Sequence, residues 1–340
     1  MRFAVPNNMM PERRDKGLLP GWLAPTGMAL ACGWVAGTVL VLTMYGGIAT
    51  ILATLGGIAL ISTLTGRRGI FFGLVAAATA LAVLFLGGGG LPMALYWGAR
   101  MAATGAAYGY FLAAGAAVGT AVAWGVGLGF LGVVLALPQV VRLWAALRQE
   151  VAASLEPTWQ FYQESGLLKS LGEQGVNVDS LRHTLETTIH FVTNVVPALT
   201  LLEVALTAVL ACFLARVVLL RLRVGVRLLP PFTYWRVPWY LAWGVIAGLA
   251  LMLAGDFYGV GWPLVWGQNI MLLYLPLLLV IGTAVAVTFY LYLPVPLFLK
   301  NIVLLVALLN LPFLVLILAI LGAFDPLVDF RGRLTKEGNG

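Results

Sequence analysis

The sequence predicts an all-α polytopic transmembrane helical bundle, and three observations carry that prediction. First, 61% of the 340 residues are hydrophobic and only 10% are charged. Soluble domains carry about a quarter charged residues, and a soluble chain of this size could not cover so much apolar surface with so few polar groups. Second, the apolar residues form continuous runs. A membrane β-barrel would alternate over segments of about ten residues. Third, a spanning helix takes about 20 apolar residues, so eight or nine spans fit. A cytosolic enzyme, a disulfide scaffold and a disordered chain are thereby excluded. Cys32 and Cys212 stand alone in apolar runs, with no Cys-x-x-Cys or Cys/His cluster.

Along the chain, residues 1–21 are polar and carry Arg2, Arg13, Arg14 and Lys16. No short apolar core with a small-residue cleavage site follows, so this segment is expected not to be a signal peptide. Residues 22–141 read as a Gly/Ala-rich bundle of about five spans. The uncharged run 22–65 holds two, with a turn expected near Tyr45-Gly46-Gly47, and Arg67 and Arg68 close it with a short basic loop. Residues 70–86 form the third. Gly87–Gly90 and Pro92 break the chain before spans at 91–113 and about 115–139. Gly33/Gly37, Gly105/Gly109, Gly115/Gly119 and Gly125/Gly129 have the Gly-x-x-x-Gly spacing that lets helix backbones approach in lipid.

Residues 142–190 differ: acidic residues outnumber basic ones, and Trp144, Leu147, Val151 and Leu155 recur at helical spacing. The expectation is an amphipathic extracytoplasmic insertion, with a turn near Leu171–Gly175 and a second helix capped by Asp179 or Ser180. Residues 191–322 then hold the C-terminal spans, at 191–215, about 238–255, 264–290 and 302–322, followed by a polar tail, 323–340. Between the first two lies a basic loop, 216–236, with Arg216, Arg221, Arg223, Arg227 and Arg236. Beside Trp235, Trp239 and Tyr240, these arginines read as contacts to anionic lipid or to a cytoplasmic partner. The net charge of +7 belongs to such membrane contacts, and no nucleic-acid partner is expected. The positive-inside rule puts the N-terminus, Arg67/Arg68 and the 216–236 loop in the cytoplasm, and 142–190 outside. Nine spans would place the C-terminus outside, whereas Arg331, Arg333 and Lys336 favour the inside.

Two stretches resemble a known family. Leu229-Pro230-Pro231-Phe232-Thr233-Tyr234-Trp235-Arg236-Val237-Pro238 is similar to the proline- and arginine-containing loop of the YybS-like family of predicted bacterial membrane proteins of unknown function. The ending Gly322-Ala323-Phe324-Asp325-Pro326-Leu327-Val328-Asp329-Phe330-Arg331 and Asn269 at the opening of a late span also resemble that family. The Gly/Ala-rich first half departs from its Leu-rich pattern. That family is distantly similar to substrate-binding membrane subunits of energy-coupling-factor transporters and to the rod-shape protein MreD. The resemblance implies the bacterial cytoplasmic membrane and a role in small-molecule binding or envelope assembly.

The candidate chemistry lies in a few polar residues at bilayer depth. Glu203 sits near the middle of its span, where a charge costs at least about 2.5–3.5 kcal/mol and therefore faces a partner or a cavity. Arg100 is its natural counter-charge. Either the two pair structurally or they contact a ligand, with Tyr108, Gln268 and Asn269 as further candidates. Gln268 and Asn269 read first as helix–helix hydrogen bonders and second as pocket residues. His183, Glu186 and His190 share one helix face. Their histidines lie about 10 Å apart along the axis, too far to share one metal without a bend, so a polar surface is the plainer reading.

The chain lacks a phosphate-binding loop, a His-Glu-x-x-His pair and a Gly-x-Ser-x-Gly elbow, so no enzyme and no cofactor is expected. The leading expectation is a membrane-embedded binding subunit for small-molecule transport, energised by a partner ATPase or an ion gradient. The alternative is a non-catalytic envelope scaffold that works through protein partners. Transport predicts a polar cavity enclosing Arg100 and Glu203. A scaffold predicts those charges paired to each other.

Overall fold

Lipid offers no hydrogen bonds, so an apolar run must satisfy its own backbone, and here it does so as helices. The computed structural model describes residues 23–43, 48–175, 177–292, 294–328 and 331–332. The 1–21 segment, the Tyr45–Gly47 turn, Asp329, Arg333 and Lys336 lie outside the described residues. Those described form α1 (Leu23–Thr43), α2 (Ile48–Arg68), α3 (Ile70–Leu84), α4 (Gly90–Trp97), α5 (Thr104–Ala113), α6 (Val118–Leu135) and α7 (Leu137–Ala153). Then follow α8 (Leu155–Glu164), α9 (Leu167–Glu173), α10 (Val178–Arg221), α11 (Ala242–Tyr258), α12 (Gly261–Tyr292), α13 (Leu297–Leu309) and α14 (Leu311–Val328). No strand occurs among the described residues.

Eight of the described helices are long and apolar enough to cross a membrane. The expected span 91–113 is helical throughout but not uniformly α. The π-helical stretch Phe85–Gly89 precedes α4, and a second, Gly98–Ala103, separates α4 from α5. The expected last span also differs. It starts at Leu311 rather than 302, because the helix breaks at Asn310. The preceding α13 is a 13-residue apolar helix with no buried residue, shorter than the about 17 residues a span needs.

Small residues set the packing of the first half. A side chain at Gly33 or Gly37 would strike α3 at Ala76, Thr79, Ala80 or Val83. One at Gly105 or Gly109 would strike α2 at Ile61, Ser62 or Thr65. Gly125 and Gly129 lie against Tyr108 and Val204. Three of the four spaced pairs therefore mark close helix approaches. The fourth does not. A Cβ at Gly119 would meet nothing within 4 Å, and Gly115 (φ +73°) serves the turn between α5 and α6. Ser62 Oγ donates to Gly105 O at 2.9 Å and joins α2 to α5 at one such approach.

The 142–190 stretch is not a self-contained insertion. Its second helix is the start of α10, which continues without a break for 44 residues. Asn177, rather than Asp179 or Ser180, caps it, its Oδ1 accepting from Asp179 N (3.0 Å) and Ser180 N (3.1 Å). Arg182 on α10 pairs with Glu156 of α8 (3.0 Å) and with Glu186 (3.1 Å), and lies over the buried Trp159 ring at 5.5 Å. These contacts hold the α8 segment against the base of α10.

Candidate functional site

Arg100 and Glu203 do meet. Arg100 sits in the π-helical stretch Gly98–Ala103, and its guanidinium pairs with Glu203 on α10. Arg100 is 5% exposed and Glu203 35%. Thr207, one turn beyond Glu203, donates to its Oε1 at 2.9 Å, and Arg100 Nη1 donates to the Tyr96 hydroxyl at 2.7 Å. The Trp97 and Tyr96 rings lie 4.9 and 5.6 Å from the guanidinium carbon. A π-turn widens the helix by a residue and re-aims the side chains it carries, and this one carries a cation at bilayer depth. Two donors beside the pair, Arg100 Nε and Trp97 Nε1, are buried without a partner among the described residues.

The other candidates lie elsewhere. Tyr108 is fully buried and donates to Ala208 O of α10 at 2.7 Å. Asn269 repairs a break in α10. Pro197 has no N–H, which leaves the carbonyl of Thr193 without its helical donor. Arg148 Nε of α7 donates to that carbonyl at 3.0 Å. Across the same turn, Asn269 Nδ2 donates to Asn194 O and its Oδ1 accepts from Ala198 N, both at 2.9 Å. One side-chain amide thus serves both ends of an i, i+4 backbone pair, which is the hydrogen-bonding role expected first for this residue. Gln268 is half-buried beside it.

Arg100 and Glu203 lie apart from the large cavity of the molecule. The large cavity, about 1,010 Å³, lies between α6, α10 and α12 beneath the 227–241 loop, and none of Arg100, Tyr108, Glu203, Gln268 or Asn269 lines it. At bilayer depth the Arg100 guanidinium and the Glu203 carboxylate are paired with each other. The cavity wall is apolar, with Val126, Leu206, Val209, Phe213 and Leu277 typical of it. Its charged residues are Arg227 and Arg236. No polar pattern in the sequence marks such a wall. The nearest sequence signals are Pro276 inside α12 and the Pro230-Pro231 pair in the loop.

The loop is held by the C-terminal segment. Arg331 and Asp325 form an ion pair with both side chains almost wholly buried, 3% and 4% exposed. Arg331 Nη1 also donates to Thr233 O (2.8 Å) and Trp235 O (2.7 Å). Trp235 stacks on Phe213 of α10, with ring centroids 6.1 Å apart, and its Nε1 donates to Pro230 O at 3.2 Å. The 229–238 loop and the C-terminal residues Asp325 and Arg331 are therefore joined in space. Pro238 precedes the short 3-10 turn Trp239–Leu241, where α11 begins.

The basic loop starts later than the sequence suggests. Arg216 and Arg221 belong to the last turns of α10, and irregular chain begins at Leu222. Arg223 follows with φ 58°. Arg221, Arg223, Arg227 and Arg236 are exposed, and Arg216 is half-buried with its Nε lacking a partner among the described residues. His183 and His190 are exposed on α10, while Glu186 is engaged by Arg182. Among the described residues no three metal-type side chains converge.

The helices and their buried ion pairs define a multi-pass all-α membrane protein with a large apolar cavity. The family of predicted membrane proteins described as DUF2232 matches residues 35–326. The chain belongs to that family, whose function its description leaves unknown. No curated protein and no solved structure matches the chain.

Proposed function

We propose that this protein is a membrane-embedded binding subunit for a largely apolar small molecule, serving its transport. The observation that supports this is the cavity of about 1,010 Å³ between α6, α10 and α12. That volume is at the upper end of the range of about 300–1,000 Å³ in which small-molecule sites fall. Lacking a phosphate-binding loop, the chain would draw energy from a partner ATPase or an ion gradient, and we assign it no catalysis of its own. The arginine distribution supports an orientation with the N-terminus and the 222–241 loop on the cytoplasmic side, and the bacterial cytoplasmic membrane follows from the family resemblance alone.

The test is thermal unfolding of the detergent-purified chain against a library of apolar and amphipathic metabolites, repeated on Val209→Trp. Ligands that bind only the folded state raise the melting temperature by mass action. We expect hits on the wild type that weaken or vanish in Val209→Trp, whose ring projects into the cavity from the middle of its α10 wall. Hits that persist unchanged in that variant, or none at all, would sink the proposal.

One observation favours a second reading, the envelope scaffold. Arg100 and Glu203 are paired with each other, and the 137–173 segment exposes Phe161 and Leu167. On that reading, Phe161→Glu with Leu167→Glu leaves the fold intact and removes a defined cross-link to an envelope protein, while Val209→Trp changes nothing.

A further inference from the structure

Resting on the binding reading above, we infer that the cavity takes an anionic phospholipid, its acyl chain along α10 and its phosphate at Arg227. Three observations on independent parts of the molecule support this. The first is the shape of the cavity. Its wall on α10 runs from Leu202 to Phe213, about 16 Å at about 1.5 Å per residue. Half of a hydrocarbon core about 30 Å thick is about 15 Å, which is the depth an acyl chain needs from headgroup to midplane. The antiparallel α6 lines the same length, from Val118 near Phe213 to Phe130 near Leu202.

The second observation is charge. The loop covers the Phe213 end of the cavity, where Trp235 stacks, and the lining there carries Arg227 and Arg236 and no acidic residue. Between Glu203 and Asp256 the chain has five arginines and no carboxylate. The carboxylate that the described residues place against this loop, Asp325, is engaged by Arg331. Arg227 is exposed and has no ion pair or hydrogen bond among the described residues. A guanidinium in that setting is a bidentate partner for a phosphate.

The third observation is how the loop is held. The buried Arg331–Asp325 pair clamps the Thr233 and Trp235 carbonyls. The Thr233–Trp235 part of the loop, which closes the cavity on the side where Arg227 lies, is therefore held in place. Apolar wall, cationic rim and fixed loop together match a molecule with one long apolar part and one negative head.

The experiment measures equilibrium binding of a fluorescent phosphatidylglycerol to the full chain in neutral detergent, against a phosphatidylcholine with the same chains. The variants are Arg227→Glu, Arg227→Lys and Val209→Trp, each checked for helical content and for elution as a single species. The expected result is a preference for phosphatidylglycerol over phosphatidylcholine of about fivefold or more, from roughly 1 kcal/mol per basic side chain near an anionic surface. Arg227→Glu removes that preference, Arg227→Lys keeps most of it, and Val209→Trp weakens both lipids. If Val209→Trp weakens binding while Arg227→Glu leaves phosphatidylglycerol untouched, the headgroup assignment is overturned and the cavity reading stands. If Val209→Trp changes neither lipid, both are overturned. Displacement of the probe by millimolar inorganic phosphate alone would show a site for a soluble anion and overturn the lipid assignment.

Discussion

At the scale of single residues, the charges at bilayer depth read as stabilisers of helix contacts. Glu203→Gln leaves Arg100 buried without a counter-charge. Removing one partner of a fully buried pair costs about 3–5 kcal/mol. Here Glu203 keeps 35% exposure, so the expected loss is nearer about 1–3 kcal/mol. The double variant Arg100→Met with Glu203→Leu should recover most of it, since a well-packed apolar pair replaces an ion pair at little cost. Thermal unfolding in detergent measures both. A double variant as unstable as the single one would mean that the charges do more than neutralise each other. Asn269 offers a second residue-scale test. Asn269→Leu strips partners from Asn194 O and Ala198 N, at about 1–3 kcal/mol for the orphaned groups. In a Pro197→Ala background the helix can close that turn itself, so the same substitution should cost clearly less. A double-mutant cycle reads the coupling directly, and additive losses would remove the link between Asn269 and the proline.

At the scale of elements, the structure separates glycines that matter from glycines that only match a spacing. A Cβ at Gly282 would collide with the backbone at Leu318, and one at Gly322 with the backbone at Leu278. Gly322→Ala must therefore push α14 off α12, with a loss of about 1–3 kcal/mol by overpacking. Gly119→Ala meets nothing and should be neutral or stabilising by a few tenths to about 1 kcal/mol, because alanine is the better helix former. Equal effects in thermal unfolding would contradict the packing described. The spacing 115/119 is the same as 125/129. Whether a glycine faces a neighbour depends on how the helix is rotated about its axis, and four identical spacings do not report that rotation.

At the scale of the whole molecule, the C-terminal segment reaches back nearly a hundred residues to hold the loop above the cavity. Asp325→Asn weakens the anchor of Arg331 and, through it, the carbonyl clamp on Thr233 and Trp235. The expected result is faster tryptic cleavage after Arg227 and Arg236 with the helical content unchanged. Cleavage at the wild-type rate would mean that the loop is held by other contacts. The same clamp joins two stretches far apart in the chain. Both carry Pro and charged residues at the ends of apolar runs, and both belong to one joint.

The sequence by itself determined the class: an all-helical chain in a membrane, with eight or nine long apolar runs and the basic loop in the C-terminal third. These follow from composition and run length, because lipid forces an apolar segment into a helix whatever surrounds it. It also pointed to the Arg100–Glu203 pairing, since two opposite charges at similar depth have few other places to go. Tertiary structure alone decided that the Asn269 amide bridges the turn around Pro197 and that the Arg331–Asp325 pair sits beneath the 229–238 loop. It alone placed the cavity among Val, Leu and Phe side chains of α6, α10 and α12 beneath the basic loop. Contacts between distant helices depend on rotation and tilt. An apolar wall facing a cavity has the same sequence as an apolar wall facing lipid.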